Sequence, residues 1–112
     1  MDITSWKSQL RKGAVELAAL AALEGDSRYG LELLDALGAT GALDITEGTI
    51  YPLLNRLQRD GKIGSTWMEV EGASHPRKYY HLTEEGRALV EAMKAEWGRF
   101  ARGIDALIEE GS

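Results

Sequence analysis

At 112 residues the chain has the size of one compact domain and is short for an enzyme with a deep cleft. Hydrophobic residues at 44% and charged residues at 28% describe a folded protein, and the lack of any cysteine excludes disulfides, thiolate chemistry and cysteine zinc sites. A net charge of -5 counts against a polyanionic partner unless the charges are segregated. They are, along the sequence: residues 1–45 and 84–112 each hold four basic and seven acidic side chains, whereas residues 46–83 hold five basic and four acidic. The longest apolar run, Leu17 to Leu23, falls far short of the roughly 20 residues a membrane span needs. Asp2 stands ahead of the basic cluster Lys7, Arg11 and Lys12, which is not the order of a secretion signal, so a cytoplasmic protein without membrane contact is expected.

Thr4 or Ser5 is the expected cap of a first helix running to about Leu23, with Gly25 ending it. Its apolar face is Trp6, Leu10, Ala14, Leu17, Leu20 and Ala21, and the small residues from Ala18 to Ala22 permit close helix contacts. Ser27 is the expected cap of a shorter helix through Leu37, with Leu31, Leu34 and Leu37 buried and Gly38 as its stop. A third helix should open at Thr46, carry Glu47 on its first turn and close at Gly61. Ile50, Leu53, Leu54 and Leu57 follow the i, i+3, i+4, i+7 rule and form its buried face. At about 100° per residue the far side carries Gly48, Pro52, Asn55 and Arg59, flanked by Thr49, Tyr51 and Arg56. That surface offers hydroxyls, an amide and guanidinium groups, the chemistry that reads a duplex. Gly48 and Pro52 weaken the helix on this side, by about 1 and up to roughly 3 kcal/mol.

Beyond Gly61 the period changes. Ser65 to Val70 favours a strand, Gly72 to Pro76 is a turn cluster and Arg77 to Leu82 favours a second strand. A hairpin in this place is a wing, and it brings His75, Arg77 and Lys78 to one end, where a phosphate backbone can accept them. Thr83 is placed to cap a last helix, with Glu84 and Glu85 on its positive end. Val90, Met93, Trp97, Phe100, Ile104 and Leu107 are spaced 3, 4, 3, 4 and 3 apart, a heptad seam. A helix of about 25 residues is about 37 Å long, more than so small a domain covers, so its end should meet a second chain. Homodimerisation through this helix and the first is expected.

In order, Tyr29-Gly30 with Glu32-Leu33, Gly48-Thr49-Ile50-Tyr51-Pro52 with Leu54, Arg56 and Leu57, Gly61, Arg77-Lys78-Tyr79-Tyr80, and Leu82-Thr83 with Gly86 resemble the PadR family of bacterial transcriptional regulators. The resemblance spans essentially the whole chain and is to the short members with one C-terminal helix. It implies a mainly α protein with a β-hairpin: a winged helix-turn-helix over residues 1–83, whose first helix also joins the dimer contact, and a dimerisation helix over 84–112. It further implies a homodimer on double-stranded DNA at a near-palindromic operator, usually as a repressor. Tyr29, Thr46, Thr49, Tyr51, Arg56, Arg77 and Lys78 match the family's DNA-contacting positions, and Asn55 and His75 join them on chemistry. Tyr79 and Tyr80 read as packing residues.

Relatives often respond to small aromatic or lipophilic effectors held between the dimer's helices. Here Trp6, Leu10, Met93, Trp97, Phe100 and Ile104 are the candidate dimer and effector residues, with filling of the dimer core as the other reading of Trp97. The sequence departs from the family at Gln58, Leu31 and the tip Gly72-Ala73-Ser74-His75-Pro76. Two histidines and no phosphate-cradling loop leave no catalytic residue, cofactor or metal ligand set, so no enzyme is expected. The alternative class is a winged-helix dimer that binds protein partners without an operator.

Overall fold

Residues 2–111 are described by a computed structural model of the chain. Helix α1 spans Ile3–Ala22, strand β1 Arg28–Tyr29, helix α2 Gly30–Gly38, helix α3 Glu47–Arg59, strands β2 and β3 Ile63–Met68 and Arg77–Leu82, and helix α4 Glu84–Glu110. The three strands form one antiparallel sheet in the order β1-β3-β2.

Helix α1 begins ahead of the expected Thr4 or Ser5. Asp2 is its cap, accepting the Thr4 N–H at 2.9 Å, and that bond holds the Asp2 carboxyl below its ordinary pKa. The face that enters the domain core is Val15, Ala19 and Leu20. Trp6 and Leu10 lie on a second strip and are exposed. The expected start of the second helix at Ser27 is also corrected. Arg28 and Tyr29 stay extended because they pair with Tyr80 and Tyr79 of β3, and the Arg28 Nε–H donates to the Ala22 carbonyl at 2.7 Å. The helix then opens at Gly30, with the Tyr29 N–H donating to Glu32 Oε1 at 3.1 Å. Of the expected buried row, Leu37 is in the core and Leu34 packs partly buried against it, but Leu31 is 48% exposed and Leu33 takes its place inside.

Helix α3 buries the four expected residues, Ile50, Leu53, Leu54 and Leu57. Thr46 caps it through its carbonyl, which accepts the Thr49 and Ile50 N–H groups, while its hydroxyl makes no capping bond. The helix continues through Pro52, whose missing N–H falls opposite the Gly48 carbonyl on the exposed side. Its end is a Schellman arrangement: Gly61 has φ +76, its N–H donates to the Gln58 carbonyl, and the Lys62 N–H reaches the Leu57 carbonyl at 2.9 Å.

The hairpin starts two residues earlier than the Ser65 start expected, at Ile63, because Ile63 is buried beneath the sheet opposite Leu82. Thr83 joins the wing to α4. Its hydroxyl donates toward the Gly61 and Lys62 carbonyls, at 2.6 and 2.9 Å, and accepts the Gly86 N–H at 3.0 Å. Val90 belongs to the same core as Leu20 and Ile50, and Met93 packs at its edge. The first turns of α4 thus contribute to the core. Lys94 ties α4 to Glu24, just past the end of α1, and also bonds Glu91 one turn earlier on its own helix; both carboxylates raise the ammonium pKa. Beyond this point the seam leaves the core: Trp97 is 45% exposed, Phe100 60% and Leu107 66%.

Candidate nucleic-acid interface

The exposed side of α3 is bordered on one flank by the wing and on the other by α1. Gln58 fixes the wing flank by donating from Nε2 to Ser65 Oγ of β2 at 2.9 Å. Between the wing, the start of α2 and Tyr51 lies an open cleft of about 760 Å³. It brings together Tyr29, Tyr51, His75, Arg77 and Lys78, five of the nine residues selected from the sequence.

The wing's cations are held on aromatic rings. Arg77 and Lys78 are consecutive on β3, so they face opposite sides of the sheet. The Arg77 guanidinium lies 4.5 Å from the centre of the Tyr29 ring, which stands edge-on to Tyr79 with centroids 5.5 Å apart. Lys78 Nζ lies 5.5 Å from the Tyr80 ring and 6.0 Å from Trp67, its cross-strand partner. Contacts of this kind are worth about 0.5–1 kcal/mol at exposed sites, enough to bias where a flexible cation points. Tyr80 itself is buried; burial, with the Tyr51 phenol nearby, raises its hydroxyl above the ordinary tyrosine pKa and keeps it neutral. His75 is at the tip, with Nδ1 3.0 Å from the Ser74 hydroxyl.

Tyr51 owes its position to Gly30. A Cβ on Gly30 would overlap the hydroxyl end of the Tyr51 ring, so the bare backbone at the start of α2 is what lets the ring approach so closely. Asn55 is on the outermost face of α3, exposed, and its amide has no partner among the described residues. Thr46 and Thr49 lie on the α1 flank, around a small hollow.

Arg56 is arranged differently from the other candidates. Its guanidinium bonds Glu16 of α1 at 3.3 Å and stands 3.9 Å from Asp60. Periodicity places it on the flank of α3, as expected, but the acid that holds it lies forty positions earlier and gives no sequence signal. Trp67, 67% exposed beside Lys78, was likewise not among the selected residues, since nothing in its alternating strand marks it apart from a packing residue.

The second group of candidates lies elsewhere. Leu10, Met93, Trp97 and Phe100 line an apolar groove of about 500 Å³ between α1 and α4, with Gly13 and Leu17 on its α1 wall. Trp97 and Phe100 are tilted ring neighbours 6.3 Å apart. Ile104 lies further along α4 in a second shallow groove with Phe100 and Leu107, and Trp6 lines neither. Among the described residues no cluster of metal-binding side chains occurs, and no helix is long and apolar enough to cross a membrane.

Two helices, α2 and α3, followed at once by a hairpin that flanks the second, define a winged helix-turn-helix protein. The chain belongs to the PadR-like family of transcriptional regulators, whose family model matches residues 19–92. It is similar in structure to a PadR family transcriptional regulator from Eggerthella lenta (TM-score 0.82, 34% identity, covering 96% of this chain and 92% of that one). A PadR-like transcriptional regulator from Bacillus cereus gives a TM-score of 0.80 at 34% identity, covering 89% and 96% of the two chains. A transcriptional regulator of Mycobacterium tuberculosis is 29% identical over 96 residues, 86% of this chain and 87% of its own length. The protein is thus a transcriptional regulator of this family and not an enzyme.

Proposed function

We propose that the chain is a repressor that binds a near-palindromic operator as a homodimer. The observation that carries this is the pairing of two surfaces on one small molecule: a reader helix beside the cationic wing, and an uncovered strip of Leu10, Trp97, Phe100, Ile104 and Leu107 along α1 and α4. An apolar strip of this length is costly to leave in water, and a two-fold contact between copies covers it on both chains at once. The dimer then presents two copies of α3, each to a major groove, and sequence is read by Asn55 and Tyr51. Tyr29, Thr46, His75, Arg77 and Lys78 serve phosphate contacts, and Arg56 joins them only by leaving Glu16.

The groove holding Trp97 and Phe100 becomes enclosed in such a dimer and suits a small aromatic or lipophilic effector, whose flat face stacks on the exposed rings. Sedimentation equilibrium tests the assembly: a species of twice the 12.3 kDa chain mass is expected at micromolar concentration, and a monomer contradicts it. Repression is tested by transcript profiling of a strain lacking the gene, where messages from operator-bearing promoters should rise; a fall would make the protein an activator. Lys78→Glu separates this reading from a protein-binding module, because it should abolish duplex binding and leave the dimer intact.

A further inference from the structure

Arg11 and Lys12 of α1 do not line the apolar groove against α4, whose α1 residues are Gln9, Leu10, Gly13 and Leu17. They face α3 instead and border a hollow of about 160 Å³ together with Thr46 and Thr49. Lys12 is exposed and Arg11 half-buried, and neither charge is matched by an ion pair among the described residues. Their surroundings set them apart from Arg56, the next cation on this flank, which Glu16 neutralises one turn of α1 beyond Lys12. The Thr46 hydroxyl, free of the usual capping bond, is open to the same hollow. The one acid there is Asp44.

A helix with its side chains is about 10–12 Å across and a major groove about 12 Å wide, so a helix in the groove has a phosphate strand on each side. The wing supplies cations on one side only. We propose that Arg11 and Lys12 bind the phosphate strand on the α1 side, with Thr46 and Thr49 donating hydroxyl hydrogen bonds to the same backbone, so that α3 is gripped from both flanks. This rests on the duplex-binding reading above. It also bears on how a chain of net charge -5 binds a polyanion: Arg11 and Lys12 add positive charge on the α1 side of the reader helix, opposite the wing.

The test is the full-length Arg11→Gln/Lys12→Gln double variant, with Lys12→Gln alone and Asp44→Asn beside it. Affinity for a selected duplex and for random duplex is measured from 50 to 200 mM salt, and far-UV circular dichroism is compared with the parent chain. The double variant should bind both duplexes about 10- to 100-fold more weakly, with the log-log salt slope reduced by about two units, and Lys12→Gln should reduce it by about one. Asp44→Asn should tighten binding on both. A salt slope unchanged in a folded double variant, or a loss confined to the selected duplex, overturns the phosphate role. If the parent chain binds no duplex at all, the operator reading falls and this inference with it; if the parent binds and the variants match it, only this inference falls.

Discussion

At the scale of single residues, the pairing of Gly30 with Tyr51 gives the clearest expectation. The overlap created by a Cβ at Gly30 is with the far end of a side chain, which can swing away, so Gly30→Ala should leave the fold within about 1 kcal/mol of the parent. It should still displace Tyr51 from the cleft beside the wing and, on the proposed reading, weaken operator binding about 5- to 10-fold. Equal losses of stability and affinity would assign Tyr51 to packing. Asn55→Ala should cost about 1–3 kcal/mol on the operator and nothing on random duplex, since an amide on the outer face reads base edges and carries no charge for phosphate; competition titration with the two duplexes distinguishes these. Residue positions such as Asn55 were legible from helical periodicity alone. The Arg56–Glu16 bond and the seat of Tyr51 were not, because each depends on a partner far away in sequence.

At the scale of elements, the joint between wing and α4 is the rigid part. A Cβ on Gly86 would collide with the Lys62 carbonyl, which is backbone and is tied to the Thr83 hydroxyl, so relief requires the strand or the helix to move. Gly86→Ala should therefore destabilise the protein by about 1–3 kcal/mol, which lowers the melting temperature by roughly 4–8 °C for each kcal/mol. An unchanged melting temperature would mean that α4 is not held against the wing in this way. Helix α3 was legible from its buried row to Gly61, because the periodic row and the end signals outweighed the unfavourable Gly48 and Pro52. Strand β1 was not: two residues are too few to show a period of two, and Arg28 and Tyr29 are extended only because β3 lies beside them. The first cap was missed for a related reason, since Asp2, Thr4 and Ser5 are all good caps and one turn of context does not choose among them.

At the scale of the whole molecule, the shape is elongated, 54 × 32 × 21 Å, and α4 at about 40 Å reaches past the core that its first turns join. The heptad spacing of Met93, Trp97, Phe100, Ile104 and Leu107 made this seam visible in the sequence, and the exposure of its later residues is the reason a second chain is proposed. Phe100→Glu places a charge in the proposed contact without touching the domain core. It should shift sedimentation from dimer toward monomer and weaken operator binding at least 10-fold, while the melting curve of the individual domain stays cooperative. A dimer that survives the substitution would move the contact away from α4.

The most direct test of the central claim is selection of bound duplexes from a random DNA pool near physiological salt, followed by sequencing. A dimer reading DNA with two copies of α3 predicts a two-fold symmetric motif with half-sites about one helical turn, roughly 34–36 Å, apart. Enrichment of no motif by folded, dimeric protein, or of a single unpaired half-site, would contradict it.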